Sequence, residues 1–191
     1  MSKPTVVPAV YIVGPSATGK TTLCNALARR LNIQPPAYIT EVARRVMQET
    51  GFSRADVGKL EMQTAIMTAQ LQAEWRARES VQRQDFRIVL SDRSAVDAIV
   101  YAMISSSPGF EKLIESDEFQ RTLSLYQKST FVLLTPVPGW LQDDGVRSMG
   151  DHGIGGFRQV LKRLEIPFQE IDGSCRLLEE RVARVIGWVG L

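Results

Sequence analysis

Val10-Tyr-Ile-Val13-Gly14-Pro-Ser-Ala-Thr-Gly19-Lys20-Thr21-Thr22 decides the fold. The apolar, β-branched run from Ala9 to Val13 stops at Gly14, which reads as a buried strand feeding a turn. Beyond the turn, Leu23, Ala26, Leu27 and Leu31 recur at helical spacing until Pro35-Pro36 forbids continuation. The pattern Gly-x-x-x-x-Gly-Lys-Thr therefore lies between a strand and a helix, the context in which it makes a phosphate-binding loop, or P-loop. Glycine lets the backbone turn its N–H groups inward around a β-phosphate, and the helix that begins there adds the positive end of its dipole. Gly14, Pro15, Ser16, Ala17, Thr18, Gly19, Lys20, Thr21 and Thr22 are the expected nucleotide cradle. Lys20 is expected to reach the β- and γ-phosphates and the Thr21 hydroxyl to ligate Mg2+, so ATP and Mg2+ are the expected cofactors.

Outward from this loop, strands and helices alternate. Ala37 to Ile39 reads as a short strand, with Thr40 as candidate cap for a helix from Glu41 to Thr50. Arg54 to Arg83 lacks proline and repeats apolar residues near the helical period, which predicts one long helix or two. Arg87 to Asp92 is a buried strand with an acid at its carboxyl end, followed by helices over Ser94 to Ile104 and Phe110 to Lys128. Thr130 to Thr135 is a strand. Asp143 to Gly156, polar and with five glycines, reads as a mobile loop. Gly156 to Leu164 is a helix, Pro167 to Ile171 the last strand and Ser174 to Val189 the last helix. The expectation is an α/β P-loop NTPase fold: a five-stranded parallel sheet with helices on both faces and a site at the carboxyl ends of the strands. One domain is expected over residues 1–191, with a mobile lid at about 139–158.

Composition narrows the function classes. With 44% hydrophobic and 23% charged residues the chain has the make-up of a globular domain. A net charge of +2 is too small for a nucleic-acid footprint, and no apolar run approaches the roughly 20 residues of a membrane span. Cys24 and Cys175 make neither a disulfide framework nor, with a single histidine, a zinc site; both are expected reduced and packed. A cytoplasmic protein acting on a small molecule is the expectation.

Phosphate binding does not say where the phosphate goes. Neither Asn-Lys-x-Asp nor Asp-x-x-Gly in switch context occurs, which argues against a GTPase, and no strand ends in the Asp-Glu pair of motor ATPases. Ser91-Asp92-Arg93-Ser94 instead resembles the Asp-Arg element of small P-loop kinases. A carboxylate there can accept the proton of an acceptor hydroxyl or hold Mg2+, while the arginine grips a phosphate or a ribose hydroxyl. The competing reading makes Asp92 a plain helix cap.

Five segments together resemble the P-loop AAA-type ATPase/kinase family that includes the nicotinamide riboside kinase domain of NadR. They are residues 14–22, Glu41-Val-Ala-Arg44, Asp92-Arg-Ser-Ala-Val-Asp97, Asp143-Asp-Gly-Val-Arg147 and Ile166-Pro-Phe-Gln-Glu-Ile-Asp172-Gly173. The resemblance implies that Glu41 and Arg44 face the acceptor pocket, that Asp92 sits at the phosphoryl-transfer site, and that Arg147 and Arg158 lie on a lid closing over ATP. It also implies that Asp172, Gly173 and Ser174 seat the adenine. Glu41 and Arg44 equally fit an ordinary ion pair one helical turn apart. Gln63, Gln70 and Glu74 share one predicted helix face. Trp75, Tyr101 and Tyr126 are candidates for an aromatic platform, with core packing as the competing role.

Two functions remain. One is a kinase passing the γ-phosphoryl group of ATP to a small nucleoside-like hydroxyl acceptor, with nicotinamide riboside as leading candidate. The other is a regulatory ATP-binding or ATP-hydrolysing protein acting on a protein or lipid partner.

Overall fold

The computed structural model describes residues 7–83, 88–105, 109–137 and 150–190. Strand β1 (Ala9–Val13) runs through the middle of a parallel sheet, and all five of its residues are buried. A strand covered on both faces has no solvent side, hence the unbroken apolar run. It pairs with β3 (Val89–Asp92) on one side and β4 (Thr130–Leu134) on the other. With β2 (Tyr38–Ile39) and β5 (Phe168–Ile171) the order among the described residues is β2-β3-β1-β4-β5. The expected α/β P-loop NTPase fold is present. Strand order diverges at β1, so a crevice opens beyond its carboxyl end, and the register that sets Ile12 beside Asp92 brings the acid to that crevice.

The helices are α1 (Lys20–Leu31), α2 (Val42–Thr50), α3 (Leu60–Arg83), α4 (Ala95–Ile104), α5 (Phe110–Glu115), α6 (Asp117–Tyr126), α7 (Gly150–Arg163) and α8 (Leu178–Val189), with a 3-10 turn at Arg54–Asp56. Tyr11 anchors the core, its ring 5.0 Å from that of Tyr126 and 4.7 Å from that of Phe131. Cys24 and Cys175 are free and buried, as expected. No described helix is long and apolar enough to cross a membrane.

Beyond shifted helix starts, α8 at Leu178 instead of Ser174 and α3 at Leu60 after the 3-10 turn, three expectations change. The single helix from Phe110 to Lys128 is two, because Ser116 is extended (φ −62°, ψ 138°) and its hydroxyl accepts from Phe119 N–H as the cap of α6. Glu41, not Thr40, precedes α2, with a left-handed backbone (φ 59°) and no side-chain cap bond. The third concerns the glycine-rich stretch, which is helical from Gly150 instead of looping to Gly156. Packing accounts for its glycines. A Cβ on Gly156 would stand 2.8 Å from Ile104 Cγ2, and one on Gly153 would stand 3.3 Å from Pro15 Cγ. The helix can lie this close to α4 only without a side chain at Gly156, while at Gly153 a Cβ would be in tight contact with the P-loop. Residues 138–149, and with them Arg147 and most of the expected lid, lie outside the described residues.

Candidate functional site

Gly14 leaves β1 with φ 137°, and a Cβ there would meet the Leu134 carbonyl oxygen at 2.5 Å, so only glycine turns the chain here. Ala17 (φ 60°) and Gly19 (φ 86°) are also left-handed, which curls the loop into a cradle. Inside it, Thr18 Oγ1 donates to the Pro15 carbonyl at 3.0 Å, and the Lys20 ammonium donates to the same carbonyl. The start of α1 has no side-chain cap and no acid of its own in the first turn, so its dipole end is directed at the crevice. Burial, and then the positive charge of Arg93, lower the Lys20 pKa to about 7. An anionic ligand would reverse that shift.

Across the cradle stands the end of β3. Thr21 Oγ1 donates to Asp92 Oδ2 at 2.5 Å, joining residues 71 positions apart. Asp92 Oδ1 is buried and has no hydrogen-bond partner among the described residues. Asp92 is not the helix cap: Ser94 is, in a capping box in which Asp97 Oδ2 accepts from Ser94 N–H at 2.9 Å. The cap reading is removed. Arg93 takes a left-handed backbone (φ 83°), a strained state for a bulky residue that costs about 1–3 kcal/mol and marks functional turns. Its Nη1 lies 3.3 Å from Asp97 Oδ1, and its guanidinium sits 5.9 Å above the Tyr101 ring. Burial works against that charge, but Tyr101, Asp97 and Asp92 more than offset it and hold the Arg93 pKa above its usual value. Tyr101 OH is also 3.1 Å from Ser16 Oγ, so this tyrosine bridges the cradle to the strand end.

These groups line a cavity of about 570 Å3 that continues between α2, α3 and α4. Its farther walls are Met47, Met62, Ile66 and Ala98, with Gln63, Gln70, Arg54, Glu41 and Arg44 supplying polar groups. Glu41 and Arg44 both line the cavity and pair with each other at 3.0 Å. Of the aromatic candidates, Tyr101 lines the cavity, Tyr126 is core and Trp75 is exposed.

The remaining candidates lie elsewhere. Arg158 is not among the described residues lining this cavity. It reaches from α7 to β5, where Nε and Nη2 donate to Glu170 at 2.8 and 2.7 Å. Asp172, Gly173 and Ser174 form a turn after β5 in which Asp172 Oδ1 accepts from Ser174 N–H at 2.8 Å. Buried Arg181 of α8 joins this region to the cradle, donating to Cys175 O at 2.7 Å and to Thr18 O at 3.2 Å. Sequence reasoning missed Arg181 and the roles of Asp97 and Arg54. An arginine inside an amphipathic helix carries no local signal of burial, whereas Ser-x-x-Asp at 94–97 is a readable capping box.

A family model for an AAA domain matches residues 9–176. No curated protein matches the chain in sequence. Among solved structures, a NadR protein in complex with NR is similar over 97% of this chain and 52% of its own, at TM-score 0.79 and 21% identity. A NadR protein in complex with NAD and AMP-PNP gives TM-score 0.76 and 21% identity over 97% of this chain and 50% of its own. The shikimate kinase of Acinetobacter baumannii in complex with shikimate gives TM-score 0.51 and 16% identity, covering 96% of this chain and 93% of its own. The chain thus spans about half the length of the NadR chains it matches. With the family model covering most of its length and the NadR-like P-loop fold beneath it, this chain belongs to the AAA-domain family.

Proposed function

We propose that the chain is a kinase transferring the γ-phosphoryl group of ATP to a hydroxyl of a small nucleoside-like acceptor, with nicotinamide riboside as the leading candidate. One observation carries the reading: the Thr21–Asp92 contact lies in the wall of a cavity that the phosphate cradle also lines and whose size suits a small molecule. The cradle N–H groups and Lys20 would bind the β- and γ-phosphates. Thr21 and Asp92 fit a Mg2+ ion, since both offer oxygen and one buried carboxylate oxygen lacks a partner. When bound, Mg2+ would offset charge on the phosphates. The Asp92 carboxylate oxygen not engaged with the ion would accept the acceptor hydroxyl proton, and Arg93, held between Asp97 and Tyr101, would face the transferring group.

Glu41 and Arg44 would contact the acceptor at the rim. Asp172 to Ser174 would seat the adenine, and Arg147 and Arg158 would close over the phosphates, Arg158 after leaving Glu170. The cavity also counts against a purely regulatory ATP-binding role, which would leave the wall between α2 and α4 without a ligand. The test is ADP release by the purified protein with and without a panel of hydroxylated metabolites that includes nicotinamide riboside. One acceptor should raise turnover many-fold above slow hydrolysis; if none does, the kinase reading is wrong.

A further inference from the structure

Behind the strand end, and not among the residues lining the cavity, lies a buried carboxylate that the proposed reaction does not use. Glu74 of α3 is 1% exposed. It accepts from Tyr11 OH at 3.0 Å, from Tyr126 OH at 2.9 Å and from Gln70 Nε2 at 3.0 Å. A lost partner would leave a buried acid unsatisfied, so this geometry is strongly specified.

Two of the three donors grip the turn that carries Asp92 and Arg93, one from each side. Gln70 Nε2 also meets Ser91 Oγ at 3.0 Å and Arg93 O at 3.4 Å, and Ser91 Oγ itself donates to Arg93 O at 2.7 Å. On the other flank, Tyr126 OH accepts from Ala95 N–H at 3.1 Å. One carboxylate thus fixes two side chains that hold residues 91, 93 and 95. Between those points lies the left-handed Arg93, a conformation that persists only where its surroundings impose it. The third donor, Tyr11, accepts from Arg78 Nη2 at 2.9 Å, which brings a positive charge to the cluster.

We propose that Glu74 is a positioning residue: through Gln70 with Ser91, and through Tyr126, it clamps the turn 91–95 and sets Asp92 and Arg93 at the reaction centre without touching nucleotide or acceptor. The rate part of this inference rests on the phosphoryl-transfer reading above; the structural part does not.

The test compares Glu74→Gln, which keeps volume and removes charge, with Ser91→Ala, which cuts the link near its other end, and with the double variant. ATP affinity by calorimetry should stay within about twofold of wild type, because the cradle is not involved. Turnover, whether transfer or basal hydrolysis, should fall roughly ten- to a hundredfold in each single variant. The double variant should lose no more than the worse single, as expected of residues acting in one chain. The Arg93 backbone amide resonance should move in both variants, although neither substituted side chain bonds to that N–H, which donates to Ile12 O.

Wild-type turnover and an unmoved Arg93 resonance in Glu74→Gln would overturn the clamp. So would a variant in which melting temperature, ATP affinity and turnover all fall together, since that describes a core residue with no special tie to Arg93. Should Glu74→Gln fail to fold, Ser91→Ala decides by the same two readouts. If the wild-type protein phosphorylates no acceptor, the kinase reading fails alone, and the resonance together with basal hydrolysis still decides the clamp.

Discussion

Thr21 Oγ1 donates to Asp92 Oδ2 across 2.5 Å, tying the first turn of α1 to the carboxyl end of β3. The contact aligns the cradle with the strand end before any ligand arrives, which reduces the ordering that binding must accomplish. It also makes the two residues separable by experiment. Asp92→Asn keeps the shape and a hydrogen-bonding oxygen but removes the base and one anionic ligand. Turnover should fall about 10²- to 10⁴-fold with ATP still bound. Thr21→Ala should lower the gain in ATP affinity that Mg2+ provides, measured by calorimetry with the ion and with chelator. Equal turnover in Asp92→Asn would remove Asp92 from the chemistry.

Lys20 should take up a proton when ATP binds. Its pKa of about 7 in the free protein leaves it mostly neutral at pH 8, and polyphosphate favours the ammonium. Calorimetry at pH 8 in buffers of different ionisation enthalpy should reveal uptake of close to one proton, shrinking toward zero below about pH 6. Buffer-independent heats at pH 8 would contradict the burial of this amine.

Neighbouring glycines of α7 should respond oppositely to alanine. At Gly155 nothing lies within 4 Å of a new Cβ, so relief of glycine's entropy should stabilise by roughly 0.5–1 kcal/mol. At Gly156 the new carbon would press on Ile104 and Val100 of α4 and cost about 1–3 kcal/mol. Chemical denaturation measures both. A neutral Gly156→Ala would mean α7 does not lie this close to α4.

Glu74 gives stability a pH dependence of definite sign. Burial pushes its pKa up to about 7, although its three hydrogen bonds pull the other way. A carboxyl whose folded pKa lies above its unfolded value stabilises most below the unfolded one, near 4.5, and that contribution is lost as pH rises to 7. The loss amounts to at most roughly 3 kcal/mol. Glu74→Gln should show a flatter fall in unfolding free energy between pH 5 and pH 7.5 than wild type. Parallel curves would mean that Glu74 stays ionised throughout.

Local pattern was enough for the strands and for the phosphate cradle. Gly14, Gly19, Lys20 and Thr21 are legible because the cradle is built from consecutive backbone, and the buried strands are legible because burial on both faces demands an apolar run. Asp92 stood out as the acid ending such a run. What only tertiary structure decided was the company these residues keep. The Thr21–Asp92 bond spans 71 positions and the Gln70–Ser91 bond 21, and no periodicity encodes which helix face meets which strand end. The same physics corrected α7: glycine has low intrinsic helix propensity, yet Gly153 and Gly156 are helical because close approach to the P-loop and α4 outweighs it. Glu74 makes the point most sharply, since on a helical wheel it is one polar residue among many, and only the folded chain brings Tyr11, Gln70 and Tyr126 around it.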